Sequence, residues 1–245
     1  MKIAVFSDIH GNIKALKAVL DDIKAEGVDE TICLGDLVGY GAYPNEVIEL
    51  IKSNKIPTIM GNYDDGVGFE KDDCGCAYTN PEEKKLGDIS LEWTKKTVCD
   101  ENKEFLRNLL PKIEMEVEGK KLLFVHGSPR RINEYLFFDR PLKSLRNIFK
   151  DLDVDAVICG HTHIPYVRYF DGKMLINDGS VGKPKRFHKE QTKYSTEACY
   201  LILEVNTNEI SAQIRHIPYD FEKMAKAIEK AGLPEHFANI LRGIE

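Results

Sequence analysis

The chain is expected to fold as an α/β protein, and three observations point there. Through the first sixty residues, short apolar runs with strand character alternate with amphipathic stretches at helical spacing, the rhythm of βαβ units. The apolar runs lead into short motifs that join glycine to aspartate, asparagine or histidine: Asp8-Ile9-His10, Gly35-Asp36, Gly61-Asn62, His126-Gly127 and Gly160-His161-Thr162-His163. Open α/β sheets gather their ligands at such strand ends. At 245 residues, 42% hydrophobic and 30% charged, the chain is sized for one large domain with a substantial core.

Lys2 to Phe6 reads as the first strand. Asn12 can cap the helix that follows, which carries Ile13, Leu16, Val19, Leu20 and Ile23 on one face and stops at Gly27. Thr31 to Leu34 is a second strand, Pro44 to Ser53 a second helix with Val47, Ile48 and Ile51 inward, and Ile56 to Met60 a third strand. From Gly66 to about Pro111 the rhythm breaks into a polar loop and two helical segments, near Pro81–Lys96 and Glu101–Leu110. This segment, 66–111, is expected to be a small helical insertion lying over the site, inside a single domain spanning 1–245. After Gly119 strands dominate: Leu122–Val125, Ala156–Cys159, Met174–Ile176, Ala198–Val205 and Ile210–His216, interrupted by a helix at Leu142–Asp151. Two short helices, Phe221–Lys230 and Pro234–Arg242, close the chain. Two packed sheets with helices outside would account for this order.

The net charge of −6 argues against duplex nucleic acid as a partner, since sequence-independent binding draws on Lys and Arg. No apolar run approaches a membrane span, and the amino terminus enters a strand after one basic residue, so no membrane partner and a cytoplasmic location are expected. Six cysteines form no disulfide framework. Cys33 and Cys159 fall in core strands, and Cys74-Gly75-Cys76 lacks a second pair at zinc-finger spacing, so none is assigned a role.

Seven donors stand at the strand ends: Asp8, His10, Asp36, Asn62, His126, His161 and His163. Asp8 and His10 are expected to point the same way from the end of an extended strand, because alternate side chains share a face. Gly35 lets the backbone turn to present Asp36, whose carboxylate can bridge two cations. Singly, each donor has an ordinary explanation: an aspartate at a strand–helix junction usually caps the helix, and a lone histidine is often a bonded core residue. Jointly, mixed carboxylate, amide and imidazole donors favour a pair of divalent transition metals such as Mn, Fe, Zn, Co or Ni over calcium. The lack of thiolates argues against a structural zinc.

Asp8-x-His10, Gly35-Asp36-x-x-Gly39, Gly61-Asn62-x-Asp64, His126-Gly127 and Gly160-His161-Thr162-His163 resemble, in order, the five blocks of the calcineurin-like metallophosphoesterases. Val125-His126-Gly127-Ser128-Pro129 and Asn177-Asp178-Gly179-Ser180-Val181-Gly182 extend the resemblance toward the compact prokaryotic phosphodiesterase branch. The resemblance implies a four-layer α/β/β/α sandwich. It also implies one metal on Asp8, His10 and His163, another on Asn62, His126 and His161, and Asp36 bridging. The implied reaction is phosphoester hydrolysis by water on a small phosphorylated substrate, with nucleotides among the candidates.

Asp36, Asn62, Tyr63, Asp64 and Arg130 are the candidate catalytic residues. Family members strong on monoesters usually carry histidine where this chain has Tyr63, and a phenol with a reference pKa of about 10 is a poorer acid at neutral pH. Diesters or phosphoanhydrides with good leaving groups are therefore expected, with His10 or His188 as other candidate acids. Arg130, or Arg131 beside it, could grip a phosphate with paired hydrogen bonds. The basic run Lys183, Lys185, Arg186, His188 and Lys189 would suit a polyphosphate tail, and Tyr40 and Tyr43 could stack on a base; both features also read as ordinary surface or packing. Beside the hydrolase stand two other readings: a catalytically weak interaction module on the same fold, and a protein phosphatase.

Overall fold

The computed structural model describes residues 1–78, 80–188 and 191–244. Lys189 lies outside the described residues, as does the side chain of His188. The chain begins with β1 (Lys2–Phe6), α1 (Ile13–Glu26), β2 (Glu30–Cys33), α2 (Pro44–Ser53) and α3 (Asn62–Gly68). Next come α4 (Pro81–Thr97), α5 (Asp100–Arg107), β3 (Ile113–Val117), β4 (Lys120–Phe124), α6 (Leu142–Phe149) and β5 (Ala156–Cys159). The last part holds β6 (Tyr166–Phe170), β7 (Lys173–Asn177), β8 (Lys185–His188), β9 (Gln191–Tyr194), β10 (Glu197–Val205), β11 (Ile210–Pro218), α7 (Phe221–Lys230) and α8 (Glu235–Leu241).

Two sheets result, of order β11-β10-β1-β2 and β3-β4-β5-β7-β6, with β8 and β9 as a separate hairpin. β1 and β2 run parallel, as do β4, β5 and β7. Strand alternation divides the core. Ile3 and Val5 of β1 pack with Leu201 and Leu203 against Phe124, Ile158 and Ile176 of the other sheet. Ala4 and Phe6 turn the other way, onto Leu16, Val19 and Ile23 of α1. On the far face of the second sheet, Leu123, Val157 and Leu175 meet Leu145, Ile148 and Phe149 of α6. Each large aliphatic or aromatic side chain so buried is worth about 1.5–3 kcal/mol.

The mixed α/β class stands, and α1 is capped as expected, Asn12 Oδ1 accepting from Ala15 N at 3.1 Å. Several elements differ. Ile56–Met60 is not a strand: it makes single bridges, Thr58 to Cys33 and Ile59 to Leu110. Pro57 has no N–H to extend a ladder, so the segment's bonds to β2 stop at Cys33, whose N–H donates to Pro57 O and whose carbonyl accepts from Ile59 N. The segment expected to open as a loop at Gly66 is the end of α3, whose Gly66 and Gly68 pack on Leu91 and Leu106. Strands β3, β6, β8 and β9 have no counterpart in the sequence-based reading. Among the described residues, no helix is long and apolar enough to cross a membrane.

Candidate metal centre

The donors converge where β1, β2, β4 and β5 end. Asp8 and His10 do not leave an extended strand: their φ angles are 52° and 49°. Asp36, His161 and His163 share this left-handed backbone, at 53°, 63° and 62°. Such conformations cost energy in a non-glycine residue and cluster at functional sites. Here, tight left-handed turns rather than strand pleating bring Asp8 and His10 to one side. Gly35, at φ 91°, carries the backbone so close to the next loop that a Cβ would lie 2.3 Å from Gly61 N.

Two groups of donors form, Asp8 with His10 and His163, and Asp36 with His126 and His161, the ligand atoms of each group lying within 4.8 Å of one another. Asp36 Oδ2 stands between them, 3.8 Å from His10 Nε2 and 3.6 Å from His126 Nε2. Asn62 joins the second group, its Oδ1 3.1 Å from His126 Nε2.

Six of the seven donors are held by the atom they do not present. Asp8 Oδ2 accepts from Ser7 Oγ at 2.7 Å and His161 N at 2.9 Å. Asp36 Oδ1 accepts from Tyr63 N at 2.8 Å. Asn62 Nδ2 donates to the Cys74 carbonyl at 3.0 Å. The Nδ1 atoms of His10, His126 and His163 bond the carbonyls of Val38, Leu34 and Lys183 at 3.0, 2.8 and 3.0 Å. A ring that donates from Nδ1 carries a lone pair on Nε2, the arrangement of metal-bound histidines.

The atoms left over fit cations and little else. Asp8 Oδ1 and His161 Nε2 are buried without a hydrogen-bond partner. His10 Nε2 and His163 Nε2 face each other at 3.2 Å, lone pair to lone pair. Orphaned and opposed acceptors in a dry interior are costly unless a positive charge sits among them.

Burial first, then the nearby His163, holds His10 well below the usual imidazole range. Burial and His126 bring His161 down to about 3, and burial lowers His163 against the pull of Asp8. All three rings are therefore neutral and ready to ligate. Burial opposes the charge of Asp8, but the surrounding histidines, His163 foremost, hold its carboxyl well below the usual range. Burial, then the charges of Asp8 and Asp64, pushes Asp36 well up.

The other candidates divide. Tyr63 lines the cavity above the donors, buried, its hydroxyl without a hydrogen bond of ordinary geometry. Asp64 serves the backbone instead: it accepts from Asp36 N, Leu37 N and Gly61 N at 2.8 to 2.9 Å, tying the two ligand-bearing turns together. Burial raises its carboxyl to about 6 despite those donors. Arg130 does not serve as expected. Its guanidinium binds Glu134, which also takes Ser128 Oγ at 2.6 Å, and it is not among the described residues lining the cavity. Arg131 is exposed, and Tyr43 precedes α2 away from the cavity. Arg186 pairs with Glu197.

The cavity itself measures about 510 Å3, in the range of small-molecule sites. His10, Asp36, Asn62, His161 and His163 form its floor, and Lys183 and Lys185 reach in from one side. Lys183 Nζ sits 3.8 Å from the centroid of the Tyr40 ring. The Tyr135 ring, also in the lining, packs 3.9 Å from His161 and stacks on Phe137 at 5.6 Å and 10°. Phe137 is 43% exposed. Cys76, Ala77, Tyr78, Glu83, Leu86 and Gly87 of the segment before β3 add to the lining. The sequence-based reading did not reach Tyr135 and Phe137, although an aromatic pair two apart after the His126 block was a signal for them.

An α/β protein whose strand ends present two adjoining groups of buried side chains able to hold metal ions, on the lining of one cavity, has the build of a metal-dependent protein. Residues 1–208 match the model of the calcineurin-like phosphoesterase superfamily domain, and the chain belongs to that family. Its members bind divalent metals. The protein MJ0912 of Methanocaldococcus jannaschii is 39% identical over 251 residues, covering 95% of this chain and 94% of its own. Two solved structures are similar along nearly their full length. The metallophosphoesterase from Sphaerobacter thermophilus shares 26% identity at a TM-score of 0.76, covering 99% of both chains. PH1004 from Pyrococcus horikoshii OT3 shares 23% identity at 0.81, covering 98% of this chain and 97% of its own, a likeness of fold.

Proposed function

We propose that the protein is a phosphoester hydrolase with a two-metal centre, acting on small diesters or nucleotide phosphoanhydrides. The observation that carries this reading is the set of converging imidazole, amide and carboxylate atoms around Asp36 Oδ2, opening into a cavity lined by lysines and aromatic rings. Asp8, His10 and His163 would hold one ion, Asn62, His126 and His161 the other, with Asp36 shared. Manganese, iron, zinc, cobalt and nickel all suit this donor set. When bound, such a pair supplies an acidified water nucleophile and neutralises charge on the phosphoryl oxygens.

The chain's own residues do the rest. Neutral imidazoles and pinned carboxylates keep the donors in place without rearrangement. Lys183 and Lys185 attract and orient the anion, and the Tyr135–Phe137 stack offers a flat face to a base or aryl group. Tyr63 replaces the usual histidine and, with its phenol pushed further up by burial, is a poor proton donor at neutral pH. A substrate whose leaving group departs without a proton suits such a site, which favours diesters and anhydrides over alkyl monoesters.

Manganese-reconstituted protein should release p-nitrophenol from bis-p-nitrophenyl phosphate faster than from the monoester. Equal or faster turnover of a phosphopeptide would instead support a protein phosphatase, and no turnover with any transition metal would support an interaction module.

A further inference from the structure

Cys74 and Cys76 form a second reactive group beside the metal donors. Their sulfurs lie 2.7 Å apart, brought face to face by Gly75 at φ 70°. Cys74 is buried, whereas Cys76 is partly exposed and lines the cavity. Asn133 Nδ2 donates to the Gly75 carbonyl at 2.9 Å, which fixes the turn. The pair also holds the Asn62 side chain, whose Nδ2 donates to Cys74 O at 3.0 Å and Cys76 Sγ at 3.2 Å. Among the described residues, the groups of three or more metal donors include neither cysteine, so the pair offers thiol chemistry of its own.

We propose that Cys74 and Cys76 are a reversible dithiol–disulfide pair, oxidised by a low-molecular-weight disulfide that enters the cavity, and that this oxidation loosens Asn62. The effect on Asn62 rests on the two-metal reading above; the thiol chemistry does not. With the pair's remaining proton held on Cys74 across the 2.7 Å contact, Cys76, the sulfur that lines the cavity, attacks one sulfur of the small disulfide, forms a mixed disulfide and expels one thiolate. Cys74 then attacks the Cys76 sulfur, closes the intramolecular bond and expels the second thiolate. One small disulfide takes up the two electrons and the two protons of the cysteines and leaves as two thiols. Asn62 Nδ2 is then left facing a disulfide sulfur, a poorer acceptor than the thiol, so one of its two anchors weakens.

The test treats reduced full-length protein with oxidised glutathione, blocks remaining thiols with a maleimide and maps the peptides by mass. The peptide holding both cysteines should lose two hydrogen atoms, carry no glutathione and recover on reduction, while Cys74→Ser keeps one glutathione on Cys76. Glutathione retained on Cys76 in the unmutated protein, or two thiols still open to maleimide, overturns the pair. Calorimetry with manganese should show affinity about tenfold to hundredfold weaker in the oxidised protein, the scale of a lost outer-sphere contact. Unchanged affinity with the disulfide formed overturns the link to Asn62. Protein that binds no manganese in either state contradicts the metal centre and the Asn62 link, and the peptide map still decides the pair.

Discussion

His126 Nε2 lies 3.1 Å from Asn62 Oδ1, an amide oxygen that can only accept. The His126 ring spends its Nδ1 proton on Leu34 O, and the Asn62 amide nitrogen is turned to Cys74 O. In the tautomer that donates from Nδ1, Nε2 turns a lone pair toward the same oxygen, and a cation placed against both atoms makes the contact favourable. His126→Ala should therefore cut phosphodiesterase activity by more than about a hundredfold, the upper end for lost outer-sphere support and a lower bound for a lost ligand. The same variant should lose the metal-dependent rise in melting temperature, measured by calorimetry with and without manganese. In the unmutated protein that rise corresponds to about 2.7 kcal/mol at a metal concentration a hundred times Kd.

Gly61→Ala tests how closely the ligand loops are packed. A Cβ there would fall 2.1 Å from Asp36 Oδ1 and 2.2 Å from Asp36 N, so the shared carboxylate has to move. Overpacking of this kind costs about 1–3 kcal/mol in stability. Denaturant unfolding should register that loss, and metal titration should show that binding suffers as well. Unchanged metal affinity would mean that Asp36 does not sit at the shared position.

Lys183 gives a pH signature. Burial first, then Lys185, brings its ammonium group down to about 7. Below that value it is charged and attracts anions, and above it the charge is lost. Inhibition by inorganic phosphate should thus weaken as pH rises through about 7, and Lys183→Met should flatten that dependence. The stability term has its own sign. The unfolded lysine stays protonated to about 10.5. Between 7 and 10.5 the unfolded state binds more protons, so this group's contribution to stability rises with pH across that window and is lost on acidification toward 7.

Phe137→Ala should raise KM for aryl or nucleotide substrates by roughly tenfold while leaving kcat nearly unchanged, since a lost stacking face is worth about 1 kcal/mol or slightly more. A KM unchanged for nucleotides would remove the aromatic stack from substrate recognition.

Much of the centre was legible in the chain because its donors are chemically conspicuous and follow apolar runs. Asn12, Gly27 and Pro44 bounded α1 and α2 for similar local reasons. What was hidden depends on tertiary context. The left-handed turns at Asp8 and His10 leave no mark in residue type, because neither is a glycine. Ile56–Met60 has strand composition but a proline where a ladder would need a donor. Arg130 carries the right group for phosphate, yet a buried glutamate four residues on captures it. The closeness of Cys74 to Cys76 and of both to Asn62 follows from the path of the segment after α3, which residue spacing does not specify.

The most direct measurement is anomalous diffraction from crystals soaked in manganese. Two peaks per chain are expected, roughly 3.5–4 Å apart, one beside Asp8, His10 and His163, the other beside Asn62, His126 and His161, with Asp36 Oδ2 between them. A single peak, or none at these side chains under saturating manganese, would contradict the two-metal account.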